Sequence, residues 1–217
     1  MRYMIHACPK RMWYVNEFLL PSMLDQGIPR ESIIVWNDTD HKGNLESCMQ
    51  AFESLDGDDA TWHIQDDVII CHDFAKRTAE YDHGVVYGFC SPYATDDPNI
   101  CGTVYAEDMW NSFQCVRIPD KIARECAAWF RTDGQLQTYL LPLIRENKGD
   151  DTIFHEFYLT HYGTTTAINA KPNLVDHVDY ILGGSTVNEW RGFAMRATHF
   201  EDQYLVEELE TKIRNRV

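Results

Sequence analysis

The chain has 217 residues, of which 44% are hydrophobic and 12% aromatic, enough to bury the core of one domain. Its formal net charge of −15 excludes the broad phosphate-binding surface that non-specific nucleic-acid binding needs, while leaving room for a local basic groove. No run approaches the roughly 18 apolar residues of a membrane span, and residues 1–7 lead into Lys10 and Arg11 without the apolar core of a signal peptide, so a cytoplasmic protein with no membrane partner is expected.

In chain order, residues 3–7 predict a strand, 13–26 a helix with Val15, Phe18, Leu19 and Met23 on one face, and 32–36 a β-branched second strand. Gly27-Ile28-Pro29 stops the helix, and Asn37-Asp38 makes a turn after the strand. A helix over 45–55 and a strand over 61–64 complete a β-α-β-α-β pattern, which predicts an α/β fold with a doubly wound, mostly parallel central sheet flanked by helices. Ligands of such sheets bind at the carboxyl ends of the strands, where Arg11, Asp38, Asp66 and Asp67 would lie.

Further along, 84–89 and 114–119 read as strands around a polar loop at 91–99, and 121–130 reads as a helix. Residues 133–147 carry a second helical pattern interrupted by Pro142. A third begins at Gly149-Asp150-Asp151 and runs through Ile153, Phe154, Phe157 and Tyr158, and 201–217 is a charged helical tail. Without a repeat or linker, 1–217 reads as a single domain, with halves at about 1–100 and 101–217. Seven cysteines without a C-x-x-C pair read as reduced, mostly buried thiols.

Trp62-His63-Ile64-Gln65-Asp66-Asp67-Val68-Ile69-Ile70 sets two adjacent carboxylates at the end of an apolar strand, where burying them without a partner is expensive. Such hard oxygen ligands suit Mn²⁺ or Mg²⁺, with a diphosphate and water completing the shell; a solvated turn is the plainer alternative. Gln65-Asp66-Asp67-Val68, followed by His72-Asp73-Phe74, resembles the Glu-Asp-Asp-Leu form of the D-x-D motif in GT-A glycosyltransferases of the N-acetylglucosaminyltransferase I kind. That resemblance implies a GT-A fold and a nucleoside-diphosphate sugar as donor, a UDP-sugar first of all. It further implies Asp67 as the cation ligand and Asp66 as a donor-site residue. Gln65 departs from the acid usual there, at the ribose or base contact.

Pro9-Lys10-Arg11 and Asn37-Asp38 resemble the positions that such enzymes set against the nucleotide, which implies donor-binding roles for Arg11 and Asp38; a surface charge and a turn cap are the alternatives. Gly149-Asp150-Asp151-Thr152 resembles the acidic motif of inverting members, which implies that Asp151 takes the acceptor proton, with Asp150 second in line. Either carboxylate could instead serve the helix N-terminus. His177, between Asp176 and Asp179, resembles the late histidine that completes the metal or diphosphate site, against a purely structural histidine.

Arg191 and Arg196 suit a leaving diphosphate or surface ion pairs, and Tyr93, Tyr105, Trp110 and Trp129 suit stacking or core. Residues 173–188 look like a segment of small glycosyltransferase-like bacteriophage proteins. This implies a hydroxymethylated base in phage DNA, reached by flipping, beside a glycan as acceptor. A metal-dependent nucleotidyltransferase using the same carboxylate pair is the rival reading, and a non-catalytic binding module the third.

Overall fold

The computed structural model describes residues 1–90, 102–105, 113–132, 149–163, 166–184, 196–197 and 199–216. Strand β1 (Arg2–Ala7) leads into α1 (Met12–Tyr14), which continues through a π turn at Val15–Leu19 into α2 (Leu20–Asp25). Then come β2 (Ile33–Asn37), α3 (Asn44–Glu53), β3 (Ala60–Gln65), β4 (Val68–Ile70), α4 (Phe74–Thr78) and β5 (Val86–Tyr87). The described chain continues with β6 (Gly102–Tyr105), β7 (Cys115–Pro119), α5 (Asp120–Thr132), α6 (Asp150–Tyr162), β8 (Thr166–Asn169), β9 (Val175–His177) and α7 (Gln203–Arg214).

β1, β2 and β3 are parallel with β1 in the middle, and His6 is the register partner of both Trp36 and Gln65. All three strands therefore end at the same edge, as the β-α-β-α-β reading requires. The seven-stranded sheet has the order β2-β1-β3-β7-β5-β8-β6, and it is mixed rather than mostly parallel. β7 runs antiparallel to both β3 and β5, β6 runs antiparallel to β8, and β5 pairs parallel with β8. Local hydrophobic pattern reveals that a segment is a strand but not its direction, which explains the difference.

β4 and β9 form a separate antiparallel pair. The predicted strand over 84–89 shortens to Val86–Tyr87, and Gly88, though its N–H still reaches β7, turns its carbonyl to the segment before β9. Its N–H donates to Cys115 O at 2.8 Å, and its carbonyl accepts from Leu174 N at 2.7 Å. A Cβ at Gly88 would meet Cys115 Sγ at 2.8 Å, so only glycine fits this approach. The helical pattern over 133–147 and the loop at 91–99 lie outside the described residues.

Strand alternation divides the core between the two faces of the sheet. Tyr3, Ile5, Trp62 and Ile64 pack with Leu19 and Met23 of the first helix and with Val206 and Leu209 of α7. Met4, Val116 and Ile118 face the other way, against Phe52 of α3, Ala123 of α5 and Phe154 of α6. Each large apolar side chain sealed in this way contributes roughly 1.5–3 kcal/mol. The six described cysteines are free thiols, five buried and Cys8 half-buried. Among the described residues, no helix is long and apolar enough to cross a membrane.

Candidate functional site

β3 ends at Gln65, whose N–H donates to Gln114 O at 3.0 Å, and the chain turns through Asp66 and Asp67 into β4. β9 then pairs with β4 so that His177 is the register partner of Val68, and Val178 N–H donates to Asp67 O at 2.7 Å. From the end of β1, Cys8 N–H donates to Asp66 Oδ2 at 2.6 Å, and a short 3-10 turn, Pro9–Arg11, brings in Arg11. Three segments far apart in sequence thus meet at one point.

Arg11 is the centre of the cluster. Its Nη1 donates to Asp66 Oδ1 at 3.1 Å and to Asp67 Oδ2, while Nη2 donates to Gly184 O at 2.8 Å. His177 Nε2 lies 3.2 Å from the same Asp67 Oδ2. Arg11, Asp66, Asp67 and His177 are 3%, 6%, 7% and 6% exposed. Burial favours the neutral acid at Asp67, but His177 and Arg11 outweigh it and hold this carboxyl well below the usual range. At Asp66, burial and the neighbouring Asp67 charge win over Arg11 and the Cys8 N–H, and the group is raised. For His177, burial opposes protonation, yet Asp67 and Asp179 raise it above the ordinary histidine value. The cluster compensates its own charge internally, with an arginine where the sequence suggested a metal.

Among the described residues, four buried polar atoms at this point nonetheless have no hydrogen-bond partner: Arg11 Nε, Asp67 Oδ1, His177 Nδ1 and Asp179 Oδ1. His177 Nδ1 and Asp179 Oδ1 are 3.6 Å apart, beyond a good hydrogen bond. Orphans are costly where burial is this deep, and several at one place call for a partner such as a water or an ion. Asp67 Oδ1 fits an oxygen ligand of a divalent cation, and His177 fits a nitrogen ligand once it has lost its proton. Among the described residues, no group of three or more His, Cys, Asp or Glu side chains is arranged to hold a metal.

A second acidic group sits on the α3–α6 face of the sheet. Asp150 and Asp151 occupy the first turn of α6 behind Gly149, the N-cap residue. Asp150 is 3% exposed and accepts from Asn44 Nδ2 at 2.7 Å. Burial, with the Asp151 charge adding to it, pushes the Asp150 carboxyl up to about 7. Asp151 is half-buried, accepts from Thr152 N at 2.7 Å, and is raised by burial. Neither carboxylate is the N-cap, so the capping alternative narrows to a favourable charge in the first turn.

Two stretches of chain run between these groups. Asp38 follows β2, and its two oxygens accept from Lys42 N and Gly43 N, each at 2.9 Å, closing the turn that delivers Asn44 to Asp150. After β5, Phe89 sets its ring against His177 with centroids 6.2 Å apart, while Tyr87 lies within the field of Asp151 and Tyr158. Arg11, Asp38, Asp66 and Asp67 all follow the carboxyl ends of β1, β2 and β3, but Asp38 is occupied with its own turn.

Arg196 is committed elsewhere. Its Nε donates to Asp176 Oδ2 at 2.6 Å and its Nη1 to the Tyr180 hydroxyl at 3.0 Å. Gln65 is half-buried at the end of β3. Trp129 packs on Phe157 at 5.7 Å between centroids, a helix-packing role. Arg191, Tyr93 and Trp110 lie outside the described residues, and Tyr105 is described only as part of β6.

Sequence reasoning missed Cys8, which acts through its backbone N–H and leaves no side-chain signal, and it read the Gly183-Gly184-Ser185 backbone as an approach to a phosphate, whereas the Gly184 carbonyl accepts from Arg11. Gly43-Asn44 reads in the sequence as a helix opening, but not as the partner of Asp150, and the His6–His63 pair, with ring nitrogens 2.9 Å apart on neighbouring strands, was missed. No protein-family model matches the chain, and no curated protein matches it in sequence.

Proposed function

We propose that this chain is a GT-A type glycosyltransferase that moves a sugar from a nucleoside-diphosphate donor, a UDP-sugar first of all, to an acceptor hydroxyl. The observation that carries the reading is the set of four unpaired buried polar atoms around Asp67 and His177, at the ends of parallel strands where ligands of α/β sheets bind. Asp67 Oδ1 and neutral His177 would hold Mn²⁺ or Mg²⁺, which when bound supplies charge neutralisation for the departing diphosphate. Arg11 and Asp66 line the donor side.

On the acceptor side, two adjacent carboxyls share one buried helix turn, and like charges so placed do not ionise equally. Asp150, the more buried, retains its proton more readily and leaves Asp151 as the base. The acceptor oxygen bonds to the anomeric carbon as the bond from that carbon to the diphosphate breaks. The acceptor proton passes to Asp151, the nucleoside diphosphate leaves, and the anomeric centre inverts. A net charge of −15 favours a glycan as acceptor over a base in DNA.

A thermal-shift panel of nucleoside-diphosphate sugars and nucleoside triphosphates, with and without Mn²⁺, tests the reading. A ligand at a hundred times its Kd stabilises by about 2.7 kcal/mol. For a chain of this size that raises Tm by roughly 5–10 °C. The expected result is a shift with a nucleoside-diphosphate sugar only when Mn²⁺ is present. Stabilisation by triphosphates alone would replace the proposal with nucleotidyl transfer, and no shift with either class would overturn it.

A further inference from the structure

Arg11 is built into the carboxylate cluster instead of standing at its mouth. Asp67 Oδ2 already faces the Arg11 guanidinium and the His177 imidazole, while Oδ1 of the same carboxylate, in a residue 7% exposed, has no partner among the described residues. The other end of the Arg11 fork holds the carbonyl of Gly184 at 2.8 Å. Gly184 closes the turn after β9: its N–H donates to Asp179 O at 2.8 Å, and Leu182 N–H donates to the carbonyls of Val178 and Asp179. One guanidinium therefore ties the carboxylates to the loop over 178–184, the stretch that also carries Asp179.

A divalent cation at Asp67 and a guanidinium on the same carboxylate repel one another at short range, in a site too buried for water to screen them. We infer that Arg11 is a resident counter-cation which a divalent metal must displace from Asp66 and Asp67, and that its departure also releases Gly184, coupling metal loading to the 178–184 loop. The inference rests on the proposed metal at Asp67 and adds a control to it. A donor diphosphate gives the displaced guanidinium a planar, doubly hydrogen-bonding partner. Metal alone then binds weakly, and metal with diphosphate binds well. The metal-free site meanwhile keeps its carboxylates neutralised and its loop closed.

Mn²⁺ titrations followed by the electron paramagnetic resonance of the free ion, with and without UDP, test this in the wild type, Arg11→Gln and Arg11→Lys. Hydrogen exchange at Leu182 and Gly184 supplies a second readout. Arg11→Gln is expected to bind Mn²⁺ without UDP roughly tenfold tighter than the wild type, a change of one decade in Kd, and to gain less from UDP. Exchange at Gly184 should rise in the wild type on loading with Mn²⁺ and UDP, and should already be fast in the variant.

Arg11→Lys keeps a charge on the carboxylates but cannot span to Gly184, so it should retain weak Mn²⁺ binding while its loop exchanges quickly. Should Arg11→Gln fail to fold, the lysine variant and the wild-type exchange measurement decide the matter. UDP-dependent Mn²⁺ binding in the wild type, combined with no gain in Arg11→Gln or no change at Gly184 on loading, would overturn the inference and leave the metal site standing. No Mn²⁺ binding by the wild type with UDP present would remove both.

Discussion

Asn44, the first residue of α3, donates its side-chain amide to Asp150, the first residue of α6, at 2.7 Å across 106 residues of sequence. The bond fixes two helix starts against each other and seals an acidic side chain that sits well above the ordinary aspartate value of 3.8, at about 7. Between these two values the folded chain binds a proton that the unfolded chain does not. Stability from this group is therefore complete below about pH 4 and is lost as pH rises through 7, at roughly 1.4 kcal/mol per pH unit inside the window. Asp150→Asn keeps an acceptor for Asn44 and removes the titration. Urea denaturation at pH 4.5 and pH 8 should show a smaller loss in the variant than in the wild type. Equal losses would mean that the carboxyl ionises as in water.

Asp67→Asn should abolish metal-dependent donor binding, and it should also cost stability. The substitution leaves Arg11 and His177 without the carboxylate charge that both now face. Breaking a buried ion pair by removing one partner costs on the order of 3 kcal/mol. Because the Asp67 carboxyl is held low, its contribution is present above the unfolded value near 4 and is lost as pH falls through the folded one. The variant should accordingly show a shallower acid limb in a plot of Tm against pH. Calorimetry with Mn²⁺ and UDP, run beside that plot, checks both parts; unchanged affinity would remove Asp67 from the metal.

Asp151→Asn separates proton transfer from helix support. Its Oδ1 accepts from Thr152 N, and an asparagine oxygen can do the same, so Tm should change little. Turnover should fall roughly a hundredfold to ten-thousandfold, the worth of a positioned base. Hydrolysis of the donor sugar by water provides the readout before an acceptor is in hand. Full turnover would move the base to Asp150.

Arg196→Ala tests whether this arginine serves the donor or the fold. Asp176 is fully buried and accepts from Arg196, from Ala197 N at 2.6 Å and from His177 N at 2.9 Å. Losing the arginine leaves a buried carboxylate held by backbone donors alone, at a cost on the order of 3 kcal/mol. Donor affinity measured well below Tm should stay within about threefold of the wild type, a change under 0.7 kcal/mol. A tenfold or larger loss would return Arg196 to the diphosphate.

The parallel half of the sheet was legible because each of its strands is a run of apolar or β-branched residues bounded by turn formers, with a helix-length segment between. In the antiparallel half β5 and β7 were also legible as strands, though not their directions, and the separate β4–β9 pair was not legible at all. β4 and β9 are three residues each, too short to show a period of two, and their partnership exists only across a long stretch of chain. The same limit applies to the site. Paired acids at a strand end were visible as a chemical oddity, and Arg11 was visible as a charge after a strand. That the second neutralises the first is a statement about distance, which spacing in sequence does not contain. Asp38 shows the opposite outcome: read as a nucleotide contact or a turn cap, it closes a turn with both of its oxygens.

Because His177 is the register partner of Val68, the acidic corner is completed by a segment that leaves the ribosome well after the carboxylates do. At about 5–20 residues per second, the roughly 110 residues between Asp67 and His177 represent about 5–20 s of synthesis. During that interval Arg11 is the counter-charge already synthesised, since it precedes the pair in the chain. Of the two groups that face Asp67, Arg11 thus precedes the carboxylates in the chain and His177 follows them.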